Sequence, residues 1–259
     1  MKKPFVTETD AAALLAPFPP VISTAYAAGA ARAASGSVAP ISSSVPPEEL
    51  RLLYDVVRAL RPTVTCEIGF ALGMSAVAIC QGLEDNGHGH HHVIDPYERL
   101  HYRNFGLLTV SAAKLSHRMT FYEQFPESVL PGLSQVDFAF IDASHLFDLT
   151  IAAFTLIDNR LAVGGVLGFH DMWLPAQQKV ARYILANRNY RAHPANLARV
   201  ERGWKDRLLA ATVERVPHLK TLLHPHVLTP WRTLGLGNLA LFEKTSADDV
   251  RPFELFSDF

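Results

Sequence analysis

The feature that most constrains this sequence is a regular alternation of apolar runs and helical patterns between residues 63 and 187. The runs are rich in β-branched and aromatic residues and predict buried strands, whereas the segments between them carry apolar residues at helical steps. Strands that alternate with helices predict an α/β fold with a parallel sheet covered on both faces. The predicted strands are 63–68, 92–95, 119–122, 136–142 and 166–170, and the predicted helices are 47–60, 73–83, one within 103–115, 147–161 and 176–187.

The segments on either side of this alternation are less regular. Residues 1–45 are rich in Ala, Pro and Ser and predict an N-terminal arm that packs on another unit, such as the second subunit of a homodimer. At roughly 100–200 residues per domain, residues 46–259 predict a single domain. Within it, 188–235 are interpreted as a lid or insertion with a helix near 197–208, and 236–243 predict a final strand.

Composition narrows the class of protein. The chain has 24 Lys and Arg against 25 Asp and Glu, a net charge of −1, which argues against binding to the phosphates of nucleic acid. No apolar run approaches the ~20 residues of a membrane span. Cys66 and Cys80 both lie in apolar runs and are interpreted as reduced core thiols, so a cytoplasmic protein is expected.

Ionisable or metal-binding residues stand at or near the ends of four predicted strands. They are Glu67, Asp95, Asp142 and the pair His170-Asp171. Charged residues make up only 19% of the chain, so chance would rarely produce this pattern. In open α/β sheets ligands bind beyond the carboxyl ends of the strands. The sequence therefore predicts a functional site at that edge of the sheet.

The turn after the first strand points to a nucleotide-like cofactor. Gly69 and Gly73 are spaced G-x-x-x-G, and the middle glycine that lets a backbone approach a pyrophosphate is missing. Glu67 would repel a phosphate, but it suits a ligand with ammonium and sulfonium charges, such as S-adenosylmethionine. Asp95 lies about 20 residues beyond this turn, the offset at which a carboxylate binds ribose hydroxyls. The alternative role for Asp95 is a helix or turn cap before Pro96.

Four segments resemble, in order, the class I S-adenosylmethionine-dependent methyltransferases. The nearest branches are the small-molecule O-methyltransferases of the catechol and caffeoyl-CoA type and of the bacterial sugar and antibiotic type. The resemblance implies a Rossmann-like, doubly wound sheet of seven strands, mostly parallel, with the last strand antiparallel. The segments are 67–75, 93–96, 140–145 and 164–171, and the residues implied to bind the cofactor are Glu67, Gly69, Gly73, Ser75, Asp95 and Asp142.

The same resemblance implies a site for methyl transfer to a hydroxyl. Asp142 matches the first acid of the cation-dependent members, whereas His170 and Asp171 replace their Asp-Asn pair and His145 replaces a lysine near the acceptor. We expect a divalent cation, Mg²⁺ or Mn²⁺, on Asp142 and Asp171 with His170 as a third ligand. His145 is expected to act as the general base. The alternatives are a helix start for His145, ligand positioning without metal for Asp142, and a satisfied histidine at the sheet edge for His170.

The sequence therefore predicts an S-adenosylmethionine-dependent methyltransferase with a small-molecule acceptor. The alternatives are a metal-independent N-methyltransferase, an NAD-dependent dehydrogenase, and an inactive cofactor-binding module. The histidine-rich stretch 86–92 is interpreted as a solvated loop, because its first members link a helix to a strand at the opposite edge of the sheet. Trp173 is interpreted either as a wall of the acceptor pocket or as a core residue.

Overall fold

The N-terminal arm folds onto its own chain. The computed structural model describes residues 8–32, 36–42, 44–197, 237–247 and 256–257. Within the arm, the elements are α1 (Glu8–Leu15), α2 (Pro20–Ala28), β1 (Ala30–Arg32) and β2 (Val38–Pro40), and the two strands pair antiparallel. Phe18, Ile22 and Val45 are buried in the same core cluster as the first helix of the main domain. The arm thus packs against its own domain, and a further contact with a second copy stays a prediction.

The main domain is built on a seven-stranded sheet. Six strands run in one direction, and the last strand among the described residues is antiparallel to both of its neighbours. This arrangement confirms the predicted fold class. The strands, in the sheet order β5-β4-β3-β6-β7-β9-β8, are β5 (Met119–Tyr122), β4 (His90–Ile94), β3 (Val64–Ile68), β6 (Val136–Ile141), β7 (Leu161–Phe169), β9 (Ala240–Lys244) and β8 (Tyr190–Ala192).

Helices cover both faces of this sheet. The apolar side chains of β6 alternate between the two faces, because successive residues of a strand point to opposite sides. Phe138 and Phe140 pack in one cluster with α3 and α4, whereas Ala139 and Ile141 pack in the other with α7 and α8. The helices are α3 (Pro47–Leu60), α4 (Met74–Asn86), α5 (Phe105–Ala112), α6 (Pro126–Val129), α7 (Phe147–Asp158) and α8 (Pro175–Asn187).

Two sequence-based boundaries are wrong. Leu161 was expected to end a helix and the next strand to begin at Val166, yet β7 begins at Leu161 and contains Gly164 and Gly165. Val136 pairs with Leu161 whereas Phe138 pairs with Val166, so the extra residues of β7 form a bulge in which Gly164 has a φ of 82°. A bulge accommodates glycines within a strand, and this explains why they resemble a turn in the sequence.

Three further elements complete the comparison with the sequence. Strand β4 begins at His90, so the last three histidines of the stretch 86–92 belong to the sheet and not to a solvated loop. Strand β8 was not predicted. The helix expected near 197–208 and most of the proposed lid lie outside the described residues. No helix among the described residues is both long and apolar enough to cross a membrane.

Candidate active site

The strand ends that carry the predicted site residues meet at one edge of the sheet. Ile68 of β3 pairs with Ile94 of β4 and with Ile141 of β6, and Ile141 in turn pairs with Phe169 of β7. The residue that follows each of these strand ends therefore emerges beside its neighbours. The structure in this way brings together Gly69, Asp95, Asp142 and His170.

The glycines of the first turn serve close packing. Gly69 has a φ of 93°, and a Cβ at this position would lie 2.1 Å from the backbone oxygen of Asp142. Gly73 has a φ of 72°, and a Cβ there would lie 2.8 Å from the backbone oxygen of Gly106. Only glycine combines the left-handed backbone with such approaches. The two glycines thus let the first turn touch the end of β6 and the start of α5.

A cavity of about 370 Å³ opens next to this turn. The turn and the start of α4 form one wall, with Gly73 and Ser75, and the arm residues Val38–Pro40 form another. Asp142 and Tyr102 also line it. Volumes of this order accommodate small ligands, so the cavity is the candidate cofactor pocket.

Both carboxylate oxygens of Asp95 accept hydrogen bonds from the backbone of neighbouring turns. Its Oδ2 accepts a hydrogen bond from the backbone N–H of Phe70 at 3.0 Å, and its Oδ1 accepts one from that of Tyr97 at 2.8 Å. Asp95 therefore does cap the turn, which was the alternative role. Each carboxylate oxygen keeps a second lone pair, so ribose binding by Asp95 stays a prediction.

Glu67 does not line the cavity. Its side chain is fully buried, Oε1 accepts a hydrogen bond from the Ser75 hydroxyl, and Oε2 lies 3.0 Å from Nε2 of His91. Burial raises the pKa of Glu67 well above its usual range. Of these two predicted cofactor residues, Ser75 lines the cavity, whereas Glu67 contacts Ser75 and does not line it.

The predicted catalytic and metal residues form one acidic cluster beyond β6 and β7. His145 Nε2 lies 3.3 Å from Oδ2 of Asp171 and 3.9 Å from Oδ1 of Asp142. His170 Nδ1 lies 3.3 Å from Oδ1 of Asp142 and 3.6 Å from Oδ1 of Asp171. One ligand atom from each of Asp142, His170 and Asp171 can be chosen so that all three lie within 4.8 Å of one another. Two carboxylates and one imidazole make a donor set that fits a divalent transition-metal ion better than Mg²⁺.

On the side of its ring that faces away from the acidic cluster, His170 contacts a residue of α3. Its Nε2 lies 2.9 Å from Oε2 of Glu49 and 3.1 Å from the amide nitrogen of Asn238. Burial lowers the pKa of His170, but the carboxylates of Asp142 and Glu49 outweigh this effect and raise it to about 10. A metal ion on Nδ1 would therefore have to displace a proton.

The backbone is strained on both sides of the acidic cluster. Ser144 and His145 have φ values of 33° and 55°, and Asp171 has a φ of 54°. Residues other than glycine adopt such left-handed conformations at an energetic cost, and they concentrate at functional sites. The two residues with this strain, His145 and Asp171, are also the two whose side chains approach to 3.3 Å.

Three residues of the site were missed by sequence analysis. Glu49 is an ordinary first-turn acid by position, His91 lies in the stretch interpreted as a loop, and Gln177 gave no signal. Gln177 is almost fully buried, and its Nε2 lies 3.4 Å from Nδ1 of His145. One available signal was the alternation of β4, which places His91 on the same face as the apolar Val93.

Comparisons with known proteins agree with this geometry. Residues 66–172 match a family model described as a methyltransferase domain. No curated protein matches the sequence. Three solved structures that share the fold are compared by sequence identity, TM-score and the share of each chain that is covered.
The cofactor-bound protein Rv0187 from MTB has 14% identity and a TM-score of 0.62, over 93% of this chain and 99% of that one. A methyltransferase from Geobacter sulfurreducens has 14% identity and a TM-score of 0.57, over 94% and 100%. The O-methyltransferase TomG from Streptomyces achromogenes has 18% identity and a TM-score of 0.54, over 78% and 82%.

These comparisons confirm the family resemblance seen in the sequence. The matched segment contains the Gly69 turn, the ends of β4 and β6, and the pair His170-Asp171. The seven-stranded sheet with one antiparallel strand is the sheet that the resemblance implied. Residues 66–172 are thus similar to a methyltransferase domain, and the fold is shared with solved structures that include methyltransferases.

Proposed function

We propose that this protein methylates a hydroxyl group of a small molecule and that a divalent cation assists the transfer. The observation that carries the proposal is the cluster of Asp142, His145, His170 and Asp171, which adjoins the candidate cofactor pocket through Asp142. TomG, an O-methyltransferase by name, was solved in complex with S-adenosylmethionine. Methyl transfer to a hydroxyl needs alignment of the two reactants and removal of one proton.

Asp142, Asp171 and His170 Nδ1 would hold the cation. A cation supplies positive charge that lowers the pKa of an acceptor hydroxyl and orients its oxygen. Asp142 and Asp171 suit this role because their side chains are 23% and 26% exposed and thus open to a ligand. His170, at 5%, is reached only from its Nδ1 side.

His145 would take the proton of the acceptor through Nε2. This role requires the ring proton to be on Nδ1, which faces the amide of Gln177. Gln177 Oε1 is buried and has no hydrogen-bond partner among the described residues. The orientation of a glutamine amide is an assignment, and rotating it by 180° would let Oε1 accept the proton of His145 Nδ1. The rotation would fix the base tautomer of His145, and it would place the amide nitrogen of Gln177 where Oε1 now has no partner.

Exposed apolar side chains follow the cluster residues in the sequence. Trp173 is 56% exposed and donates a hydrogen bond from Nε1 to Oδ1 of Asp171 at 2.9 Å, so it is not a core residue. Leu146 and Phe147 are 57% and 41% exposed. Apolar surface beside charged groups is typical of pockets for small organic ligands. This supports an acceptor with an apolar or aromatic body that carries the hydroxyl.

A second candidate function is N-methylation without a metal. It is favoured by the raised pKa of His170, because an imidazolium between Glu49 and Asp142 would itself supply the positive charge of the site. An amine acceptor needs no metal to become nucleophilic once it is deprotonated.

One experiment separates the two candidates. Purified protein is incubated with methyl-labelled S-adenosylmethionine and panels of phenols, sugar alcohols and amines, with EDTA or with added Mn²⁺. The proposal expects labelled ethers, loss of activity in EDTA and its recovery with Mn²⁺, with Asp142→Asn inactive under all conditions. Labelled amines whose formation is unaffected by EDTA would establish the second candidate instead.

A further inference from the structure

Glu49 connects the first helix of the main domain to the acidic cluster. Its Oε2 lies 2.9 Å from Nε2 of His170, although the two residues are 121 positions apart in the sequence. Both side chains are almost fully buried, with Glu49 7% and His170 5% exposed. Water cannot take the place of either partner at such a buried contact, so removing one of them would leave the other without it.

The contact determines which ring nitrogen of His170 can bind a cation. An ionised carboxylate only accepts hydrogen bonds, so Nε2 must carry a proton to bond with Glu49. A lone pair on Nε2 would instead face the negative charge of the carboxylate. The lone pair of a neutral ring then lies on Nδ1, which is 3.3 Å from Oδ1 of Asp142 and 3.6 Å from Oδ1 of Asp171. Glu49 thus directs the ligand atom of His170 toward the carboxylates that would share the cation.

The surroundings of Glu49 and His170 are compatible with a proton on Nε2. Glu49 lies in the first turn of α3, where the positive end of the helix dipole stabilises a negative charge. The amide nitrogen of Asn238 lies 3.1 Å from the same Nε2, so two N–H groups would face each other there. The orientation of an asparagine amide is an assignment. After rotation by 180°, Oδ1 of Asn238 would accept the Nε2 proton, and the amide nitrogen would take the position where Oδ1 now has no partner.

The charge of Glu49 also favours a cation over the proton that it would displace. A negative charge beside the ring attracts positive charge on Nδ1, whether this is a proton or a divalent cation. The cation has twice the charge of the proton, so the attraction favours the exchange. Carboxylates that accept the second N–H of a metal-binding histidine contribute about 10- to 100-fold to metal affinity.

We propose that Glu49 is a positioning residue that fixes the ring of His170 with Nδ1 toward the two carboxylates of the acidic cluster, so that the cluster can bind a divalent cation. The inference rests on the proposed function, which assigns a cation to this cluster. It extends that function to α3, which lies outside the matched segment 66–172. Glu49 acts through His170 and does not contact the cation.

The test is Mn²⁺ binding, measured by calorimetry on the full chain after treatment with EDTA. Glu49→Leu should weaken binding about 10- to 100-fold, because Nε2 loses its acceptor. Glu49→Gln keeps a carbonyl oxygen as an acceptor but loses the charge, so its affinity should be intermediate. Glu48→Leu is the matched control and should bind like the wild type, since it removes a carboxylate from the same helix turn and leaves the contact with His170 intact.

Two additional measurements separate positioning from a general loss of structure. Binding of S-adenosylhomocysteine should be unchanged in Glu49→Leu, because the cofactor pocket does not include Glu49. In the wild-type protein loaded with Zn²⁺, NMR correlations between the nitrogens and protons of the His170 ring should show Nδ1 coordinated and Nε2 protonated.

The outcomes are distinguishable. Wild-type or higher Mn²⁺ affinity in Glu49→Leu, equal losses in Glu49→Leu and Glu48→Leu, or coordination of Zn²⁺ through Nε2 would each overturn the inference while the proposed function stands. Parallel losses of Mn²⁺ and S-adenosylhomocysteine binding in Glu49→Leu would also overturn it, because they would indicate a structural role. A wild-type protein that binds no Mn²⁺ and methylates its acceptor in EDTA would overturn the cation of the proposed function and this inference together.

Discussion

The contact between Gly69 and the end of β6 gives a sharp prediction about stability. An alanine Cβ at Gly69 would lie 2.1 Å from the backbone oxygen of Asp142 and 2.7 Å from its carbonyl carbon. No rotamer relieves this overlap, because both partners are backbone atoms. Gly69→Ala must therefore separate the ends of β3 and β6, which pair up to Ile68 and Ile141.

A second glycine provides the matched control. Gly87 follows α4 with a φ of 77°, close to the 93° of Gly69, but a Cβ there would meet no atom within 4 Å. Gly87→Ala should cost only the left-handed conformation, about 1–2 kcal/mol. Gly69→Ala adds the displacement of a strand end, and we expect a total loss of about 4 kcal/mol or more, in the range that marks a severe core defect.

Urea denaturation of both variants measures the difference. The unfolding midpoint should shift much further in Gly69→Ala at an unchanged slope. Because the displaced carbonyl belongs to Asp142, affinity for S-adenosylhomocysteine should also fall in Gly69→Ala and stay constant in Gly87→Ala. Equal losses of stability, within about 0.5 kcal/mol, would refute the view that close approach is the reason for glycine at position 69.

Three further predictions concern buried charges. Burial raises the pKa of Glu98 from 4.5 to about 7. The contribution of Glu98 to the free energy of unfolding is therefore complete below pH 4.5 and is lost as the pH rises to about 7. Denaturation across this pH range should show no such decrease in the free energy of unfolding for Glu98→Gln. Glu49→Gln should lower the pKa of His170 in an NMR titration, because it removes a carboxylate at 2.9 Å, whereas Glu48→Gln on the same helix turn should have little effect. Asp158→Asn should cost about 3–5 kcal/mol in thermal or urea unfolding, because it removes the buried carboxylate that pairs with Arg188 and Lys244.

The sheet could be predicted from the sequence because its signals are local. The central strands are short apolar runs bounded by turns, and β5 was predicted with its observed limits, Met119–Tyr122. Strand β8 has only three residues, Tyr190–Ala192, and is stabilised by pairing with β9, which is distant in sequence. The bulge in β7 is likewise a property of the pairing with β6. Such elements depend on tertiary contacts and leave little local pattern.

The position of the site could also be predicted, but its internal contacts could not. Strand order and register place Asp142 and Asp171 together, which follows from the general rule for parallel sheets. The partners of those residues come from distant segments: Glu49 reaches His170 across 121 positions of sequence, and Gln177 reaches His145 across 32. A local pattern cannot predict contacts across such separations.

Exposure distinguishes the acids that can act on a ligand from those that support them. Glu67, at the end of β3, is fully buried, and its two oxygens are bonded to His91 and Ser75. Asp142, one residue past the end of the neighbouring strand β6, keeps about a quarter of its side chain open to solvent. The difference follows from position, since Glu67 lies inside β3, where its side chain points into a packed face, whereas Asp142 follows the last residue of β6. A charge just beyond a strand end is therefore the better candidate for chemistry, and a charge one step earlier is the better candidate for holding a neighbour in place.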